Sequence, residues 1–172
     1  MSNERGKIKG HVVAELRGPD GELKARCETD NLITDTGDIF YGSRAIAGIN
    51  TNGVSAAAQP SGMQIGTGST AVAKSGAGAA MVTYLIGQAF DSTFPTGADT
   101  PGSGYTATYK TTYAAGTGTT ASAITEACIV TGTVTTAGTT STTIARVLLT
   151  GIASKGASDT LTVTWTHTLL GS

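Results

Sequence analysis

Apolar and polar positions alternate with a period of two through much of this chain. Residues 160–168 read Thr-Leu-Thr-Val-Thr-Trp-Thr-His-Thr, which puts Leu161, Val163, Trp165 and His167 on one face and five threonines on the other. That is the pattern of a strand with one dry face, since on a helix neighbours three or four apart would share a face instead. The alternation recurs from Lys7 to Arg17, where Val12, Ala14 and Leu16 lie opposite His11, Val13, Glu15 and Arg17. Gly18-Pro19-Asp20-Gly21 then supplies a tight turn before Glu22 to Thr29, so the two segments predict a β-hairpin. In the segment 105–113, Tyr105, Tyr109 and Tyr113 share a face with Ala107 and Thr111. Further strands are predicted at Met63–Gly68, Met81–Phe90, Ile124–Val134, Thr142–Ile152 and Thr160–Leu170.

The period changes once. After Asn31-Leu32-Ile33, one of Thr34, Asp35 and Thr36 is placed to cap a short helix carrying Ile39, Phe40 and Ile46. Periodicity is lost over 47–62, over the Gly/Ala/Ser tract 69–80 and over 91–104, where Pro60, Pro95 and Pro101 mark loops. Short strands separated by Gly, Ala, Ser and Thr turns predict an all-β protein, an antiparallel β-sandwich with jelly-roll or Greek-key-like connections, plus the N-terminal hairpin and one short helix.

Charge divides the chain unevenly. Residues 1–44 carry 7 Lys/Arg and 8 Asp/Glu, leaving 4 and 4 for the rest. The expected organisation is a charged arm, hairpin and helix over 1–46 and a charge-poor β-sandwich body over 47–172, within one structural unit. Depletion of charge is typical of the centre of interfaces. Aromatics make up only 5% of the chain, so small residues are expected to fill much of the interior. Burying a Val, Leu or Ile is worth roughly 1.5–3 kcal/mol and an Ala or Thr much less. Such a thin core predicts association with copies of itself or with a larger partner.

The net charge of −1 and the lack of a basic run argue against nucleic acid or an anionic membrane as partner. No segment reaches the ~20 apolar residues of a membrane span, and Met-Ser-Asn-Glu-Arg-Gly-Lys lacks the apolar stretch of a secretory signal. Cys27 and Cys128 sit in no metal-binding spacing and are expected as two buried free thiols ahead of a disulfide between them.

No constellation for catalysis is present. There is no Gly-x-Ser-x-Gly elbow, no His-Glu-x-x-His and no P-loop, and Gly66-Thr67-Gly68 is only a fragment of a dinucleotide fingerprint. The chain therefore reads as no enzyme, with no catalytic residue, cofactor or metal. Seven residues stand out as interface candidates. Tyr105, Tyr109 and Tyr113 form either a binding stripe or core packing with the hydroxyls at the edge. Glu126 and Arg146 each interrupt an apolar strand of the charge-poor body, and either pair across the sheet or face solvent. Trp165 reads as core ahead of a sugar-stacking platform, and His167 as a core or interface histidine ahead of a base. Asp159, after Lys155-Gly156-Ala157-Ser158, is expected to hold its turn by accepting from nearby amides.

Four phrases together resemble a group of small tailed-bacteriophage virion proteins. Asn31-Leu32-Ile33-Thr34-Asp35-Thr36-Gly37 is similar to the group's N-x-I-T-x-x-G opening, and Ile65-Gly66-Thr67-Gly68-Ser69-Thr70 to its IGTGxT turn. Tyr113-Ala114-Ala115-Gly116 leading to Ala123-Ile124-Thr125-Glu126-Ala127 is similar to its central stretch. Arg146 followed by the run Lys155-Gly156-Ala157-Ser158-Asp159-Thr160-Leu161-Thr162-Val163-Thr164-Trp165 resembles its closing block, the most specific of the four. Order and rough spacing match over most of residues 31–169. The resemblance implies a non-enzymatic virion component of β-sandwich fold, commonly trimeric, found as a capsid decoration (cement) protein or in a tail, neck or fibre. It implies no catalytic residues. The favoured expectation is a homotrimeric cement protein on the major capsid protein, in a virion assembled in the host cytoplasm. The alternatives are a tail, neck or fibre component and a glycan- or receptor-binding module of the virion.

Overall fold

A computed structural model describes residues 8–47, 56–101 and 104–169. Among the described residues nine strands and one helix follow one another as β1 (Lys9–Arg17), β2 (Leu23–Ile33), α1 (Asp35–Ala47), β3 (Pro60–Gly66), β4 (Tyr84–Ala89), β5 (Thr96–Thr100), β6 (Gly104–Tyr113), β7 (Glu126–Thr131), β8 (Thr143–Leu148) and β9 (Thr160–Leu169). A single 3₁₀ turn, Gly76–Ala79, lies between β3 and β4.

The strands form one antiparallel sheet in the order β4-β3-β7-β8-β2-β1-β9-β6-β5, curled into a half-barrel. β2 joins its two halves: residues up to Asn31 pair with β1, while Leu32 and Ile33 pair with Arg146 and Ala145 of β8. The charged hairpin is thus no appendage, because β1 lies between β2 and β9 in the middle of the sheet. Curling brings β6 against β3 and β4, where the Tyr113 hydroxyl donates to the Met63 carbonyl at 2.9 Å and the Asp91 amide donates to the Lys110 carbonyl at 2.9 Å.

One contiguous core fills the curl. Val12, Ala14, Leu16, Tyr109, Tyr113, Leu161, Val163 and Trp165 enter it from one half, and Met63, Ile65, Ala127, Ile129, Ala145 and Val147 from the other. Bulky side chains share this interior with small ones, and the threonines of β9 alternate with the buried residues of that strand on the outer, half-buried face. Small residues fill much of the rest, as expected, with Ala14, Cys27, Ala127 and Ala145 in the core and Gly62, Gly66, Gly68 and Gly87 among the other buried positions. The outer face of β7 is covered as well, by the segments 67–83 and 132–142, so that all six of its residues are buried.

Strand ends differ from expectation where amides are taken by other partners. β4 begins at Tyr84 because the Met81 amide donates to Gly138 and those of Val82 and Thr83 donate to Glu126. β7 begins at Glu126 because the Thr125 amide donates to Gly66 and that of Ile124 to Ile152. β3 starts at Pro60, inside the expected 47–62 loop, and β5 lies inside the expected 91–104 loop. Residues 48–55 of the first of those loops, and the strand ends expected at Lys7 and Leu170, lie outside the described residues. β5 is an exposed edge with no dry face to alternate, and the Tyr105 ring lies across its Gly97. Thr34 caps α1: its hydroxyl accepts from the Gly37 amide at 3.1 Å and donates to the Thr143 carbonyl at 2.6 Å, pinning the helix start to β8. Phe40 enters the core, while Ile39 and Ile46 face solvent.

Candidate functional site

Four of the eight charged residues in the charge-poor body, Glu126, Arg146, Lys155 and Asp159, are buried. Burying an ionic group is costly unless it is paired and hydrogen-bonded, so each of these positions demands a partner. The partners define two polar centres.

The first lies on the outer face of β7 and β8. Cys128 stands opposite Arg146 in the register of these strands, and Glu126 is two residues away on the same face. Arg146 donates to Glu126 Oε2 from Nε at 3.1 Å and from Nη2 at 2.8 Å. The remaining lone pairs of the carboxylate are filled by amides of the covering segment: Gly68 at 3.0 Å, Val82 at 3.2 Å and Thr83 at 2.7 Å. The remaining donors of Arg146 reach the carbonyls of Thr70 at 2.9 Å and Gly78 at 3.2 Å. The ion pair therefore cinches both arms of the 67–83 segment onto the sheet. Gly68 has to be glycine, because a Cβ there would stand 2.4 Å from Glu126 Oε1. Gln64 of β3 holds the neighbouring 132–142 segment in the same way. Its amide nitrogen donates to Val134 and Thr136, and its oxygen accepts from the Gly138 amide at 2.8 Å.

The second centre closes the turn into β9. Lys155 Nζ donates to the carbonyls of Asp159 at 2.6 Å and Ala114 at 3.0 Å. The Asp159 carboxylate accepts from the Gly156 amide at 2.9 Å and from Lys24 Nζ at 2.7 Å. The hydrogen bond from Lys24, helped by that from Gly156, holds the Asp159 carboxyl below its ordinary range, whereas burial pulls the Lys155 amine down.

At the other end of β9, an aromatic group surrounds His167. Its Nδ1 meets the Tyr41 hydroxyl of α1, which in turn meets the Tyr109 hydroxyl of β6 at 3.1 Å. Burial alone pushes the imidazole down to about 3, so it is neutral at physiological pH. Trp165 Nε1 donates to Asn31 Oδ1 at 2.7 Å.

Six of the seven interface candidates, Tyr109, Tyr113, Glu126, Arg146, Trp165 and His167, are thus enclosed within the single chain; Tyr105 alone is exposed, at 46%. Their contacts are internal, and the Trp165 ring offers no face to a sugar. Glu126 and Arg146 do pair, and Asp159 accepts from its turn amide. Asn31, Tyr41, Gln64 and Lys155 complete the centres, and nothing in local spacing marks them, because each partner is distant in sequence. Among the described residues, no three His, Cys, Asp or Glu side chains converge to hold a metal.

The four phrases singled out in the sequence meet in these contacts. Asn31 of the first phrase receives Trp165 of the last, and Gly68 and Thr70 of the second meet Glu126 of the third and Arg146 of the last. Lys155 and Asp159 interlock within the last. Chemically, the arrangement fixes loops on a sheet: ionic and amide groups are used against backbone polar groups that β pairing leaves over. No protein family, curated protein or solved structure matches this chain.

Proposed function

We propose that this chain is a non-enzymatic structural component of a tailed-phage virion, a capsid decoration or cement protein that acts as a homotrimer. One observation carries the reading: residues from all four phrases of the resemblance meet in contacts that join distant parts of the fold, with the buried Glu126–Arg146 pair at their centre. A signature made of internal fasteners fits a scaffold whose task is to hold a shape under load. In this reading the two halves of the curled sheet act as the layers of a bent sandwich, with β2 as the shared strand. The surface that meets the capsid lies outside both polar centres.

The test is to purify expanded capsids lacking the protein, add it back, and follow binding and heat resistance while locating it by electron microscopy. Saturable binding to the shell lattice with a raised capsid melting temperature is the expected result. Density at the tail or neck, or saturable glycan binding with no capsid binding, would replace the cement reading.

A further inference from the structure

The two edges of the sheet, β4 and β5, differ. On β4 the Gly87 amide already donates to the Tyr84 hydroxyl at 3.0 Å, and that hydroxyl donates to the Val134 carbonyl. β5 is bare: β6 alone pairs with it, and Thr96, Gly97, Ala98 and Asp99 are all exposed. A bare edge is a template for another strand.

The pleat settles which backbone groups of β5 point outward. In β6 the Lys110 carbonyl and the Thr112 amide turn away from β9, toward Asp91. Direction alternates along a strand, so Thr108, Thr106 and Gly104 turn the same way, toward β5. Their partners Thr96, Ala98 and Thr100 face β6 in return, and the Ala98 carbonyl accepts there from the Thr106 hydroxyl at 3.2 Å. Gly97 and Asp99 are left with amide and carbonyl directed away from the sheet. Pro95 and Pro101, on either side, have no N–H to lengthen the row.

This stretch, Pro95-Thr96-Gly97-Ala98-Asp99-Thr100-Pro101, reads nearly the same in both directions about Ala98. We propose that β5 pairs antiparallel with β5 of a second copy of this chain, on a two-fold axis through Ala98. In that register Gly97 lies opposite Asp99 of the second copy and the two exchange N–H···O bonds, so every amide and carbonyl left outward on either strand is paired. The side chains fit the same register. The Tyr105 hydroxyl lies over Gly97, 1.7 Å from where a Cβ would stand. Asp99 of the second copy projects to that face opposite Gly97, so its carboxylate accepts from Tyr105. The exposed tyrosine of the stripe thereby gains a partner, as does an aspartate that joins no ion pair among the described residues. Pairing β5 with β4 of a neighbour would string molecules into an open chain, and the engaged Gly87 amide disfavours it; the β5 pair closes on itself. Such a two-fold contact does not depend on the capsid reading. Where copies also form trimers, it ties one trimer to the next.

The contact is small, so association is expected only toward millimolar concentration. Sedimentation of the full chain from micromolar to millimolar concentration reads it, together with hydrogen exchange of the Gly97 and Asp99 amides, whose protection is expected to rise with association. Ala98→Cys puts a thiol on the axis, where opposed Cα atoms of a non-hydrogen-bonded pair lie about 4.5 Å apart, within disulfide reach. Mild oxidation is expected to join two such chains, since Cys27 and Cys128 are buried. Asp99→Pro removes an N–H that β6 does not use and is expected to abolish association. Tyr105→Phe, which keeps the ring over Gly97, is expected to weaken it by about tenfold or more. A chain that stays monomeric at millimolar concentration, an oligomer whose Gly97 and Asp99 amides gain no protection, or an Ala98→Cys chain that does not cross-link overturns the proposal.

Discussion

Replacing Glu126 by glutamine changes one oxygen into an NH₂ group at a site where every neighbour is a donor. Five N–H groups converge on this carboxylate: three from the backbone of the 67–83 segment and two from Arg146. The new amide nitrogen has no acceptor there, and Arg146, fully buried, loses its counterion. Removing one partner of a buried pair costs about 3–5 kcal/mol, and each buried donor left unpaired costs about 1–3 kcal/mol where it is not relieved by relaxation. Taking about 3–5 kcal/mol as the net effect, a chain of 150–250 residues shifts by roughly 2–4 °C per kcal/mol, so Glu126→Gln lowers the melting temperature by about 6–20 °C. Thermal denaturation followed by circular dichroism reads the global loss. Amide hydrogen exchange at Gly68, Val82 and Thr83 reads the local one, and those three amides are expected to lose protection first.

A second variant separates this reading from a simple ion-pair account. Exchanging both partners for apolar side chains, Glu126→Leu with Arg146→Met, often restores the stability lost on breaking a buried pair. Here it is expected to restore only part, because the strap amides and the Thr70 and Gly78 carbonyls remain without partners. Full recovery in the double variant would show that the pair acts alone. A Glu126→Gln protein that melts within about 2–4 °C of the unaltered one, equivalent to about 1 kcal/mol, with the three amides still protected, would refute the strap argument outright.

Other outcomes follow from the same contacts. His167 titrates at about 3 in the fold against 6.5 when free, so stability is complete above pH 6.5 and falls as acid protonates the unfolded chain. The whole effect amounts to about 5 kcal/mol, of which roughly half is lost by pH 4.5, before most carboxylates titrate. Urea unfolding at stepped pH should show this slope, and His167→Phe should flatten it. Trp165, the only tryptophan, is fully buried, so its native emission should be blue-shifted and shielded from acrylamide, with a red shift marking unfolding. Cys27 and Cys128 are free and buried, and burial raises the Cys128 thiol well above its usual range. Neither should react with a disulfide reagent until urea unfolds the chain; rapid labelling of the native protein would contradict the packing.

How far the fold was legible depends on what each strand touches. β1, β6 and β9 have one dry face and one wetter face, and their two-residue alternation survives in the sequence. β7 and β8 are covered on both faces, so they appear only as apolar runs, and their ends were set too far out because amides at 124, 125 and 149 serve loop contacts. β5 has no pattern to find, being an edge strand held by β6 alone. Glu126 and Arg146 were visible because a charge inside an apolar run is conspicuous. Their common partner, the backbone of residues 67–83, was not, since backbone groups carry no residue identity. For Tyr109 and Tyr113 the alternation slightly favours core packing over a binding stripe, and the curl of the sheet toward β3 and β4 turns both inward.

That inward turn changes what the scarcity of charge means. As a property of composition it suggested that the body is itself the middle of an interface. In the structure half of the body's ionic groups serve the interior, leaving Lys74, Asp91, Asp99 and Lys110 outside it. The exterior is therefore even poorer in charge than the composition implied. On the hairpin several outward groups engage one another, His11 with Glu28 and Asp30, Arg26 with Glu15 and Glu28, and Arg17 with Glu15, while Lys9, Asp20 and Glu22 stand exposed outside these pairs. A partner approaching β1, β9 and β6 meets self-neutralised charges beside ranks of threonine, with their methyl and hydroxyl groups half exposed. Under the proposed reading, adhesion to a capsid through this face rests on shape and short-range hydrogen bonds over the threonine ranks, since the paired charges beside them add little steering.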